Sequence, residues 1–142
     1  ASYLDEYVTT SKSGVERDYK GEVLYPEFRY TFNTTYNVTE DFNLFAQVTF
    51  RDETQNDVNN DVNQTLSDDI NTLDSVYYVD LRASYSFNES FNVYAGTNNL
   101  FNEEPDIIPR GTVTGSAAGT NTEPRAYDII GRQFFVGLKY KF

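Results

Sequence analysis

The sequence has no cysteine, no histidine and no tryptophan. Without cysteine there is no disulfide framework, no thiol nucleophile and no thiolate metal site. Without histidine the commonest general base and the commonest zinc ligand are both missing, which removes Ser-His-Asp and Cys-His catalysis together. Paired carboxylates are what remain for an enzyme. Positive charge is scarce too: 11 Lys and Arg stand against 22 Asp and Glu, a formal net charge of −11. That balance excludes a basic stripe for nucleic acid and a basic patch for anionic lipid headgroups. No run reaches the roughly 18 apolar residues of a membrane helix. No signal-peptide pattern opens the numbering, and a removed one leaves no trace, so export stays open. The expectation is a chain with no enzymatic activity, no cofactor and no nucleic-acid partner.

Aromatic residues, by contrast, are plentiful. Of 142 residues 12 are Tyr and 11 are Phe, although only 39% are hydrophobic and the mean hydropathy is −0.59. Disordered chains are poor in aromatics, so the polarity belongs to a folded domain. The apolar residues alternate with polar ones instead of recurring at helical spacing. In residues 77–88 Tyr77, Val79, Leu81, Ala83, Tyr85 and Phe87 share one face, opposite Asp80, Arg82, Ser84 and Asn88. Residues 28–38, 42–51 and 91–101 and the final stretch Phe134, Val136, Leu138, Tyr140, Phe142 repeat the pattern, and residues 2–9 follow it more loosely. This predicts six antiparallel strands in an all-β, up-and-down sheet. Short polar turns (Thr39-Glu40-Asp41 and Asn88-Glu89-Ser90) alternate with long links at about 10–21, 52–75 and 102–131. In a meander that arrangement collects the long links at one end.

A soluble β-sandwich also alternates, burying one face of each sheet. The order within the stripes argues for another surrounding. Phe42-Leu44-Ala46-Val48-Phe50 runs from ring through aliphatic to ring, and so do the stripes of residues 77–87 and 134–142. Rings are favoured at both interfaces of a bilayer and plain hydrocarbon at its centre. Ten residues tilted near 45° span about 23 Å, the height of an outer-membrane apolar band. Six strands are too few to close a transmembrane barrel alone, and an open edge in lipid leaves backbone groups unpaired. The sheet therefore needs further strands, from a larger barrel or from other copies.

The C-terminal residues are more specific. "TNNLFNEEP" followed by "YDIIGRQFFVGLKYKF" resembles the end of TonB-dependent receptors of the Gram-negative outer membrane. The resemblance rests on Asn99-Leu100-Phe101, on Tyr127, Asp128, Gly131 and Arg132, and on the terminal Phe142. It implies that residues 1–142 are the last strands of a 22-stranded barrel, with the earlier strands and an N-terminal plug as partners. It also implies energy from the TonB system and cargo such as a siderophore or an oligosaccharide. Gly137, Tyr140 and Phe142 match the family's signal for the barrel assembly machinery, while Phe135 stands where a polar residue is expected. The long loops are then extracellular and the C-terminus periplasmic. Alternatives from other classes are an oligomeric outer-membrane pore with six strands per copy, and a secreted soluble β-sandwich that binds glycans.

In this family, extracellular loops and the lumen wall contact the cargo. Arg110, Arg125 and Tyr127 of the last long link are therefore candidate ligand contacts, the alternative being that both Arg balance nearby acids. In residues 52–75, Asp57, Asn59 and Asp61 have the every-second spacing of a calcium loop. Val62 replaces the turn glycine and no Glu stands at the twelfth place, so an acidic loop meeting lipopolysaccharide cations is the preferred reading. Four Asn-x-Ser/Thr triplets, beginning at Asn33, Asn37, Asn63 and Asn88, are chance products of an Asn- and Thr-rich chain.

Overall fold

The computed structural model describes residues 1–55, 72–107 and 122–142. All regular structure among them is β: β1 Ser2–Tyr3, β2 Val8–Thr10, β3 Glu16–Asp18, β4 Phe28–Asn37, β5 Phe42–Arg51, β6 Thr54–Gln55, β7 Thr72–Leu73, β8 Val76–Ser86, β9 Phe91–Asn98 and β10 Gln133–Tyr140. Six of these form one sheet in the order β1-β4-β5-β8-β9-β10, which is the expected meander, and it does not close on itself. Two small hairpins, β2-β3 and β6-β7, stand apart from it in pairing.

The first expected strand is where sequence and structure differ most. Only Ser2 and Tyr3 join the sheet, opposite Arg29 and Phe28. Val8–Thr10 instead pairs with Glu16–Asp18 inside what reads as a loop. These six residues carry no apolar alternation, because the hairpin is mostly exposed and held by its backbone and by Asp18. One Asp18 carboxylate oxygen accepts from the amides of Tyr7 (3.1 Å) and Lys20 (2.9 Å). Those bonds hold its carboxyl below the ordinary carboxylate value.

Both short turns are built the same way. The amide of Val38 bonds to the carbonyl of Phe42 and that of Phe87 to the carbonyl of Phe91, each at 2.9 Å. Inside the first, Thr39 Oγ1 accepts from the amides of Asp41 and Phe42 at 3.2 and 3.0 Å. Inside the second, Asn88 Oδ1 accepts from Ser90 and Phe91, both at 2.9 Å. A short polar side chain replaces a backbone partner, the reason Asn, Asp, Ser and Thr are favoured in turns.

The chain divides into two compact units. Residues 1–30, 50–76 and 104–129 form the first, and the buried apolar side chains among the described residues, Leu73, Val76 and Tyr127, all belong to it. The second comprises residues 31–49, 77–103 and 130–142. Its buried side chains are polar, Thr97 and Asn99, while the apolar stripe of β10 lies open: Phe134, Val136, Leu138 and Tyr140 are 61–76% exposed. A sandwich would bury that stripe. Rings meet along the sheet near the short turns, Tyr85 with Phe87 at 4.9 Å and Phe87 with Phe91 at 5.4 Å. Phe28, Tyr30 and Phe50 meet in the first unit at 5.2–6.1 Å.

Asn88→Ala removes two turn bonds and is expected to cost about 1 kcal/mol, with Thr39→Ala similar. Urea titration of the folded protein, followed by its tyrosine fluorescence, measures this directly.

Candidate functional site

Two clusters contain most of the described residues singled out in the sequence. The first joins β8, β9 and β10 in the second unit. The pairing sets Tyr94 opposite Gly137 and Gly96 opposite Phe135. Each ring lies over the glycine across from it. A Cβ on Gly137 would come 2.2 Å from the Tyr94 ring, and one on Gly96 would come 2.6 Å from the Phe135 ring. The two rings are 6.4 Å apart, and the Arg82 guanidinium lies 4.4 Å from the centre of Tyr94. Phe135, out of place as a polar position, is thus the cover of Gly96. An aromatic ring laid over a strand glycine restores packing that the missing side chain forfeits. Of the three positions where the sequence led us to expect an assembly signal, Gly137 lies under Tyr94, and Tyr140 contacts Phe142 edge-on at 5.2 Å.

Beyond β9 the backbone turns sharply, which the alternation of residues 91–101 did not foretell. Asn99 and Asn102 have φ of 50° and 57°. Asparagine tolerates this left-handed region better than most residues. Asn99 is 2% exposed and bonds at each polar group. Its amide donates to Asp80 Oδ1 (2.9 Å), its Nδ2 to the carbonyl of Glu103 (2.9 Å), and its Oδ1 accepts from the amide of Glu103 (2.8 Å). The other Asp80 oxygen takes a bond from Gln47 Nε2 at 3.1 Å. Asn102 Oδ1 then receives the amide of Arg132 (3.1 Å), whose Nη1 donates to the carbonyl of Leu100 (3.3 Å). Gly131 has φ of 77°, and a Cβ there would sit 3.0 Å from Asn102 Oδ1. The Asn-Leu-Phe and Gly-Arg positions therefore form one interlocking turn.

The second cluster belongs to the first unit. Tyr127 is 5% exposed; its hydroxyl lies 3.5 Å from Thr54 Oγ1 and the Arg51 guanidinium 5.0 Å from its ring centre. Burial raises its phenol above the usual value. Arg51 Nη1 also donates to the carbonyl of Ala126 at 3.2 Å. The Glu123 carboxylate is 0% exposed and receives Arg125 Nε at 2.7 Å, Nη2 at 2.9 Å and the Arg125 amide at 3.1 Å. These bonds lower the Glu123 carboxyl below its ordinary 4.5 against the opposing effect of burial. About half of the Arg125 side chain remains at the surface. Glu123 was missed in the sequence, where nothing distinguishes a buried acid from its exposed neighbours Glu103 and Glu104. Arg110 and the calcium-loop positions Asp57, Asn59 and Asp61 lie outside the described residues. Among the described residues no cluster of acidic side chains is arranged to hold a metal ion.

No protein-family model matches the chain, and no curated protein matches it in sequence. Its fold does match solved structures. Three mutants of the ferric enterobactin receptor PfeA from Pseudomonas aeruginosa, one in complex with enterobactin, align with 82% of this chain at 21% identity and TM-scores of 0.57–0.58. The chain spans only 16–17% of the length of those receptors. Its open sheet therefore has the fold of a receptor barrel segment.

Gly96→Ala should be the more damaging glycine change, since its Cβ would also meet the Leu81 carbonyl oxygen at 2.4 Å, and backbone cannot swing aside. Gly137→Ala meets only the Tyr94 ring, so Tyr94→Ala in the same protein should restore part of the lost folded yield. Glu123 gives a pH test. Because its folded pKa is lowered, its stabilisation is full above the ordinary value and disappears as pH falls through the lowered one. Hydrogen exchange at the Ala126 and Tyr127 amides, corrected for intrinsic rates, should speed up as pH falls below 4.5, and Glu123→Gln should abolish that dependence.

Proposed function

We propose that the chain is a C-terminal wall segment of a TonB-dependent outer-membrane transporter that takes up a scarce nutrient, a siderophore, an oligosaccharide or similar cargo. One observation carries this reading: the ring-flanked apolar stripe of β10 is exposed while the unit containing it has no apolar interior among its described residues. Such a face is stable against hydrocarbon and costly against water. The opposite face, with Asp80, Arg82, Gln47 and Lys139, suits a wet lumen. The fold likeness to a ferric enterobactin receptor and the C-terminal motif resemblance both support the same reading.

In this role the segment catalyses nothing. It supplies barrel wall, loops and the terminal strand, with Gly137, Tyr140 and Phe142 presented to the barrel assembly machinery. Its immediate partners are the remaining barrel strands and a plug, and through the plug the TonB system. The long links face outward into the lipopolysaccharide layer and the C-terminus lies in the periplasm. Arg110, Arg125 and Tyr127 stay as contact positions for cargo, Arg125 having the surface to make one and Tyr127 bracing the turn that presents it.

Spin labels provide the test, and this chain has no cysteine of its own to compete for them. Labels at Leu44, Leu81 and Leu138 in the membrane-reconstituted receptor should be relaxed by oxygen dissolved in the acyl chains. Labels at Gln47 and Asp80 should respond instead to a water-soluble nickel chelate. The reverse pattern would refute the membrane assignment, and the transporter with it.

A further inference from the structure

Three tyrosines in the first unit form a cluster outside both sites above. Tyr7 and Tyr25 stack at 4.6 Å with their planes 22° apart, and Tyr19 approaches them at 6.0 and 5.8 Å. The β2-β3 hairpin sets the spacing, since the amide of Tyr19 bonds to the carbonyl of Tyr7 at 3.0 Å. The cluster is not a buried core: Tyr7 is 41% exposed, and Tyr19 and Tyr25 are half-buried. One arginine borders it, the Arg17 guanidinium lying 4.2 Å from the centre of the Tyr19 ring. A second, Arg125, belongs to the same unit.

Each arginine is fixed from beneath by a buried acid. Arg17 Nη2 donates to both oxygens of Glu22 at 2.7 and 2.9 Å, and Arg125 is held by Glu123. Glu22 and Glu123 are 8% and 0% exposed. Burying two carboxylates is costly unless each is paired, and such pairs are retained where they fix geometry more than where they add stability. Here Glu22 holds the Arg17 guanidinium at the border of a partly exposed aromatic surface, Glu123 holds that of Arg125, and each cancels the charge of its partner. Lys20 is likewise engaged by Glu27 at 3.6 Å.

We propose that this surface is a cargo subsite, and that the cargo it takes is a neutral polyhydroxylated ring, a sugar unit. The proposal rests on the transporter reading and names the class of its cargo. Tyrosine rings offer flat apolar faces to the C–H side of a sugar and hydroxyls to its rim. Preset guanidiniums donate to hydroxyl groups, and the buried carboxylates behind them cancel the charge. A multiply anionic iron chelate would instead need uncompensated positive charge, whereas Arg17, Arg125 and Lys20 are each paired with an acid and the chain as a whole bears −11. Arg125 thus keeps the contact role expected from its sequence position, and Tyr7, Tyr19, Tyr25 and Arg17 join it.

The test uses the full-length receptor, purified from outer membranes in detergent, on an array of neutral oligosaccharides, with ferric enterobactin as the anionic probe. The expected result is retention on at least one neutral glycan and no saturable binding of ferric enterobactin. In calorimetry with the retained glycan, Tyr7→Ala and Arg125→Ala should each weaken binding by about tenfold, the size of one lost aromatic or hydrogen-bonded contact. Retention of no glycan, saturable ferric enterobactin binding, or full glycan affinity in both variants would each overturn the subsite. Outer-membrane fractionation and heat-dependent gel mobility of the same samples report on the barrel separately. A well-assembled receptor without glycan binding defeats this proposal alone, whereas a protein absent from the outer membrane defeats the transporter reading as well.

Discussion

Backbone groups at the edge of a sheet need partners, and everything else about this chain follows from where they find them. In β10 one side is fully paired with β9 from Gln133 to Tyr140, and the other side has no strand beside it among the described residues. At the opposite edge β1 covers only Phe28 and Arg29 of the ten residues of β4. In water such edges invite aggregation, and in lipid each unpaired group costs several kcal/mol. Both edges therefore call for neighbouring strands, and a barrel supplies them. The short turns, capped from within by Thr39 and Asn88, keep the strands in register until those neighbours are in place.

The second demand is made by the side chains. A β unit without an apolar interior cannot draw its stability from burying its own stripe. Its cohesion lies in the ladder, in the cross-strand rings on the stripe, and in contacts on the polar face. The exchange of rings and glycines between β9 and β10 is one of these contacts. The turn through Asn99, Asn102, Gly131 and Arg132 is another. Both lie at the C-terminal end of the segment, where β10 has only one neighbour to hold it.

Much of the fold was legible because alternation is a property of each strand by itself. β4 and β5 fall where residues 28–38 and 42–51 were expected, and β8, β9 and β10 differ from expectation only at their ends. What escaped depended on tertiary geometry. The β2-β3 hairpin is exposed on both faces and has no pattern to betray it. The strand through Phe101 stops early because Asn99 adopts a left-handed turn whose partners, Asp80 and Glu103, come from elsewhere in the sheet and loop. Glu123 looked like any loop acid until Arg125 folded over it. Phe135 looked like an error in a motif until its opposite residue was known to be glycine. Arg125 and Tyr127 were named as candidates from the resemblance and their place in a long link, while the tyrosine cluster was scattered over 19 positions of sequence and had no motif.

The swap of rings and glycines across β9 and β10 has an evolutionary corollary. Position 94 can lose its ring only if position 137 regains a side chain, and positions 96 and 135 are bound by the same rule. In related chains these residues should change as couples, with bulk passing from one strand to the other while the sum across each rung stays constant. A family tree would then record the joint as two inherited pairs, not as four separate sites.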